Sequence, residues 1–142
     1  MSVSEILSRK GRAIITVPVD ATIKDVVHEL AEHNIGAIVV VSADMEVCGI
    51  VSERDIVRQL RDSGAVALEN PLSSCMTSNV VSCDEDETID DVLAKMTEGR
   101  FRHLPVIVDG ELRGLISIGD VVKRKIEQAE RDAADMKRYI TG

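Results

Sequence analysis

Gly49-Ile50-Val51-Ser52-Glu53-Arg54-Asp55 returns 65 residues further on as Gly114-Leu115-Ile116-Ser117-Ile118-Gly119-Asp120, so the chain is one unit written twice. Each copy reads as a short apolar strand running into a helix that begins at the Ser and carries an Asp three places on.

The flanking landmarks repeat in the same order. Ala13-Ile14-Ile15-Thr16-Val17 is β-branched, bounded by Pro18 and predicted as a strand. Thr22-Ile23-Lys24-Asp25 opens a helix with a capping pattern, and Ile23, Val26, Val27 and Leu30 form its apolar stripe. Ile35 to Val41 is a continuous apolar run, which suits a strand covered on both faces. A turn at Ser42-Ala43-Asp44 leads to the strand Val47 to Val51 and a helix from Ser52, with Ile56, Val57 and Leu60 expected to face inward.

In the second pass, Leu72 to Met76 mirrors the opening helix Ser2 to Lys10, and Val80-Val81 matches Ile14-Ile15. Thr88-Ile89-Asp90-Asp91 repeats the cap, Ile89, Val92, Leu93 and Met96 repeat the stripe, and Phe101 to Val106 matches Ile35 to Val40. The Asp109-Gly110 hairpin turn is one residue shorter than its counterpart, which moves the repeat spacing from 66 to 65. The expected fold class is α/β (α+β), two β-α-β-β-α halves with an extended C-terminal helix. The expected divisions are residues 1–68, 69–126 and a C-terminal extension 127–142, with a linker from Ser63-Gly64 to Asn70-Pro71.

At 142 residues the chain fits one compact domain or two halves sharing a core. Phe101 and Tyr139 are its only aromatic residues, so that core is aliphatic. The net charge of -8 argues against general affinity for nucleic acid or anionic membranes, while leaving room for a small anion where Arg or Lys converge. The longest apolar runs are too short to span a bilayer and the start lacks a secretory pattern, so a cytoplasmic location is expected. Cys48, Cys75 and Cys83 form no C-x-x-C pair, and His28 and His33 lie five apart on one helix, so neither a disulfide framework nor a metal site is indicated.

The final helix departs from the copy. From Ser117 it continues through Val121, Val122, Ile126, Ala129, Ala133, Met136 and Ile140, too long for a half-domain. Its thin stripe suits pairing with a second subunit; the alternative is an exposed helix held by intrahelical charge pairs.

Ser-x-x-Asp at a strand-to-helix junction is a capping box, as at Thr22/Asp25 and Thr88/Asp91. The two post-hairpin copies are set apart by the Gly ahead of the strand. A helix start also offers N–H groups to a phosphate, a Ser hydroxyl adds a donor, and an Asp accepts from adjacent hydroxyls, which together describe a ribonucleotide. There is no Walker-type loop, nucleophile-base pair or metal cluster, so the chain is not expected to be an enzyme.

With Arg102-His103-Leu104-Pro105-Val106, the repeated Gly-apolar-apolar-Ser-x-x-Asp resembles a tandem pair of CBS domains, the modules named from cystathionine β-synthase, of the stand-alone bacterial type. The resemblance runs from about Met1 to Ile126 and implies halves packed about a pseudo-twofold axis, with two clefts for AMP, ADP, ATP, S-adenosylmethionine or NAD. Carried over by position, it groups Ser52 and Asp55 with Thr77, Asn79, Val81, Arg102 and His103. It groups Ser117 and Asp120 with Lys10, Arg12, Ile15, Gly36 and Ala37.

Arg54 and Arg102 stand where the other copy has Gly119 and Gly36, so the Asp55 cleft is expected to take the phosphate and both clefts the ribose. For His103 the favoured role is structural, and Arg100, Lys123, Arg124 and Lys125 are read as a surface face. The implied function is a dimeric, cytoplasmic regulatory sensor of cellular energy state. It would bind an adenine nucleotide, AMP foremost, and signal to an unidentified regulated protein. The alternative is a structural adaptor or oligomerisation protein that uses the fold without obligatory ligand.

Overall fold

The computed structural model describes residues 1–11 and 13–141. In chain order its elements are α1 (Val3–Lys10), β1 (Thr16–Pro18), α2 (Ile23–His33), β2 (Ala37–Val41), β3 (Val47–Ser52), α3 (Glu53–Ser63), α4 (Ile89–Gly99), β4 (His103–Val108), β5 (Glu111–Ser117) and α5 (Ile118–Thr141). Short 3₁₀ turns at Gly64–Glu69 and Leu72–Ser74 follow α3. The chain forms two compact units, one of Ile14–Val81 with Gly110–Leu112, the other of Met1–Ala13, Ser82–Asp109 and Arg113–Gly142.

The first unit holds a three-stranded sheet in the order β1-β2-β3, with β1 parallel to β2 and β2 antiparallel to β3. All five residues of β2 are buried, as its unbroken apolar run requires of a central strand. Ile23, Val26 and Leu30 of α2 pack with Val17, Ile38 and Val51 in the core. The inward face of α3 is narrower than its sequence suggests: Ile56 is buried, but Val57 is 64% and Leu60 38% exposed. Each residue turns 100° around a helix, so a helix resting on one stripe carries Val57 away from Ile56.

In the second unit β4 pairs with β5, and Asp109 and Gly110 both take positive φ in the turn between them, as an Asp-Gly hairpin demands. The counterpart of β1 is a single parallel bridge, with the Cys83 amide donating to Pro105 O (2.9 Å) and Ile107 donating to Cys83 O (3.0 Å). In both copies the pairing therefore begins later than expected, at Thr16 and not at Ala13 in the first, and at Cys83, beyond Val80-Val81, in the second.

The leading segments are exchanged between copies. Val3, Ile6 and Leu7 of α1, at the head of the first copy, belong to the core of the second unit with Ile89, Val92 and Leu104. The Val3 amide donates to Glu87 O at 2.9 Å, and Ile89 donates to Met1 O at 3.1 Å. Conversely Leu72, at the head of the second copy, is buried in the first unit's core, and Thr77 exchanges both backbone hydrogen bonds with Ile50 of β3. Along α5 Val121 is fully buried, whereas every residue from Ala129 to Ile140 is exposed.

Candidate functional site

Each repeated Ser-x-x-Asp caps the helix it opens. The Ser52 amide donates to Asp55 Oδ2 (2.9 Å), the Ser52 hydroxyl lies 3.0 Å from the same oxygen, and the Asp55 amide donates to Ser52 Oγ (3.3 Å). Ser117 and Asp120 repeat the reciprocal pair at 2.9 and 3.2 Å, as do Thr22/Asp25 and Thr88/Asp91. Burial separates the two kinds. The side chains of Asp55 and Asp120 are 17% and 24% exposed, whereas Asp25 and Asp91 are solvent-facing caps.

Segment exchange explains both the burial and the preceding glycines. A Cβ on Gly49 would stand 2.8 Å from Met76 Sδ and 2.9 Å from Thr77 O; one on Gly114 would stand 2.6 Å from Leu7 Cδ2. The glycines are where the other copy's leading segment crosses the strand that feeds the site.

At the second site that segment also delivers a cation. Lys10 Nζ donates to Asp120 Oδ2 (2.7 Å) and to Leu115 O (2.8 Å). Burial pushes the Asp120 carboxyl up, but the hydrogen bonds from Lys10 and Ser117 and the Lys10 charge outweigh it, and the group lies below its ordinary value. At the first site the guanidinium of Arg58, one turn along α3, lies 3.9 Å from Asp55 Oδ1. Burial, then the charge of Asp55, raises the thiol of Cys75. Neither Arg58 nor Cys75 was among the residues expected from sequence. The i,i+3 spacing could have found Arg58; only the exchanged segment brings Cys75 to Asp55.

Hairpin geometry fixes the strand starts. Ala37 of β2 stands opposite Ser52 of β3, and the Glu53 amide donates to Gly36 O at 2.9 Å. Likewise Ile118, the first residue of α5, donates to Arg102 O at 2.7 Å. Within the first unit Gly36 and Ala37 thus stand beside Ser52, and within the second the Arg102 carbonyl holds the start of α5.

Arg54, Thr77, Asn79, Val81 and the Arg102 residue are exposed, His103 is half-buried, and Ile15 packs on the first unit's core. Arg12 lies outside the described residues. Two of the cations expected on the surface are fasteners: Arg124 pairs with Glu127, which also holds Arg9, and Lys125 Nζ lies 2.6 Å from Asp90 Oδ1, tying α5 to α1 and α4. Among the described residues no group of His, Cys, Asp and Glu could hold a metal ion, and no helix is long and apolar enough to cross a membrane.

A β-α-β-β-α module written twice, with exchanged leading segments and a shielded Ser-x-x-Asp opening each closing helix, defines a tandem α+β module protein. The chain belongs to the CBS domain family, whose family model matches residues 3–62 and 72–127. It is similar to a CBS-domain-containing protein from Agrobacterium tumefaciens, at 47% identity and a TM-score of 0.85, over 87% of this chain and 92% of that one. A CBS domain protein from Pyrobaculum aerophilum, solved in complex with AMP, is 30% identical with a TM-score of 0.76 over 84% of this chain and 89% of that one. A CBS domain pair solved with 5′-methylthioadenosine and S-adenosyl-L-methionine is 25% identical with a TM-score of 0.81 over 90% of this chain and 98% of that one.

Proposed function

We propose that this chain is a regulatory module that binds an adenosine nucleotide, AMP foremost with ATP, ADP or NAD as related ligands, and signals its occupancy to a partner protein in the cytoplasm. The reading rests on one observation above others: of the four capped Asp residues, the two that follow the hairpins are the shielded ones. A shielded carboxylate beside a helix start matches a vicinal diol joined to a phosphate. Adenosine ligands in the Pyrobaculum protein and in the pair solved with methylthioadenosine support the class.

Ribose hydroxyls would be taken by Asp55 with Ser52 and by Asp120 with Ser117. Thr77, Asn79, Val81, Gly36, Ala37, Lys10, Arg102 and His103 would add further contacts to the ligand. Ile15 and Arg12 complete the proposed set, and Arg54 would neutralise phosphate. Signalling requires that the ligand favour one of two conformations, since equal affinity for both shifts nothing.

Calorimetry of the full chain with AMP, ADP, ATP, NAD and S-adenosylmethionine is the test. A ligand at 100 times its dissociation constant adds about 2.7 kcal/mol of stability. Absence of heat and of thermal stabilisation with all five at millimolar concentration overturns the reading. It would then leave the structural adaptor, which the exposed face of α5 favours.

A further inference from the structure

The two shielded carboxylates are not equally free to accept a hydroxyl. Asp120 Oδ2 accepts from the Ser117 amide at 2.9 Å and from Lys10 Nζ at 2.7 Å, and the same ammonium donates to Leu115 O at 2.8 Å. A carboxylate oxygen has two lone pairs, so this one is full. At Asp55 the second donor to Oδ2 is the Ser52 hydroxyl, at 3.0 Å, whose proton can rotate to another acceptor. A vicinal diol that uses both oxygens of a carboxylate therefore enters at Asp55 by turning one hydroxyl. At Asp120 it enters only by evicting a charged donor, which is the stronger bond to give up.

The surroundings allow that eviction. The Lys10 and Asp120 side chains are 37% and 24% exposed, and Lys10 is the last residue of α1. The rest of α1 is held independently, by buried Val3, Ile6 and Leu7 and by the Arg9–Glu127 pair. Beside the carboxylate, a Cβ on Gly119 would meet only Ser117 Oγ, at 3.6 Å, so the first turn of α5 has room there. It also carries no cation where the first copy has Arg54.

We propose that Lys10 determines the specificity of the Asp120 site: it is an internal cation on Asp120 Oδ2 that an incoming nucleotide draws off to its phosphate, so the site takes phosphorylated adenosine ligands and rejects the nucleoside. The inference rests on the reading of Asp120 as a ribose acceptor. A nucleotide replaces the anion that the displaced ammonium loses. Adenosine offers hydroxyls to the carboxylate and nothing to the lysine, so the cost of eviction is left uncompensated.

Calorimetric titration of the Asp55→Asn chain, in which the first site is weakened, reads the second site with AMP and with adenosine; circular dichroism verifies that each variant is folded. AMP is expected to bind at least about tenfold tighter than adenosine, equivalent to about 1.4 kcal/mol. Adding Lys10→Met is expected to tighten adenosine and weaken AMP, lowering their ratio roughly tenfold. Lys10→Gln is expected to shift the ratio the same way, and Lys10→Arg to keep the preference for AMP. A lysine that merely ties α1 to α5 would, on removal, weaken both ligands alike, so a ratio unchanged in the Met and Gln variants overturns the proposal. If the wild-type chain binds AMP but the Asp55→Asn chain binds neither ligand, the proposal falls while the nucleotide reading stands at Asp55. If the wild-type chain binds no nucleotide, both fall.

Discussion

Lys10 Nζ lies 2.7 Å from Asp120 Oδ2, whereas the nearest cation described at the equivalent Asp55 is Arg58, at 3.9 Å and from the same helix. The two copies thus place a charge from the exchanged segment on one carboxylate and not on the other. Because the Asp120 carboxyl lies below its ordinary value, it contributes stability above about 3.8 that is lost as pH falls through the folded value. Lys10→Gln removes part of that contribution. With both groups partly in water the expected cost is about 0.5–1 kcal/mol at neutral pH and close to zero once Asp120 is protonated. Urea unfolding at neutral and acidic pH measures it; an equal loss at both would show that the lysine acts through packing.

Gly49 faces a backbone carbonyl, Thr77 O, at the position a Cβ would take, while Gly114 faces the end of the Leu7 side chain. A side chain in a core can change rotamer at modest cost, but a hydrogen-bonded backbone cannot step aside. Gly49→Ala is therefore expected to destabilise by about 1–3 kcal/mol and Gly114→Ala by less. Denaturant midpoints of the two variants give the order, and the reverse order would mean that the Thr77 pairing yields more readily than the core around Leu7.

The repeat, most of its element order and the length of α5 are legible in the sequence because periodicity and capping are local, although the helix expected over Leu72 to Met76 is a 3₁₀ turn at Leu72–Ser74. The exchange of leading segments is not legible: nothing in Val3-Ser4-Glu5-Ile6-Leu7 says which copy its apolar face will join. That choice is made by tertiary packing, and it governs the candidate sites, since it delivers Lys10 to Asp120 and Cys75 to Asp55. The inward orientation expected of Val57 failed for a related reason. An apolar residue marks a face that can be covered, not the face that is.

Burial, reinforced by the charge of Glu87, pushes the Cys83 thiol up to about 12, and burial also raises Cys75. Thiolate is the reactive form, so a disulfide reagent at neutral pH is expected to label Cys48 and Cys75 on the folded chain and Cys83 only on unfolding. Removing the nearby charge by Asp55→Asn should quicken labelling of Cys75 modestly, since burial is the larger cause of its shift. Unchanged labelling in that variant would place the thiol out of reach of Asp55.

Four Asp residues cap helices in the same way, so removing the charge without removing the acceptor distinguishes capping from ligand binding. In each Asp→Asn variant the amide oxygen can still accept from the capped N–H, and the favourable charge at the helix start is lost, a cost of about 0.3–1 kcal/mol. That cost is expected at all of Asp25, Asp55, Asp91 and Asp120. Affinity for the nucleotide is expected to divide them. A hydrogen bond to a charged group contributes about 1.5–3 kcal/mol, so Asp55→Asn or Asp120→Asn should weaken binding at its own site by roughly ten- to a hundredfold. Asp25→Asn and Asp91→Asn should leave affinity unchanged, because their carboxylates face solvent on the opening helices. Calorimetric titration of the four variants is decisive: equal affinities across all four would reduce the repeated Ser-x-x-Asp to a cap, whatever ligand the chain holds elsewhere.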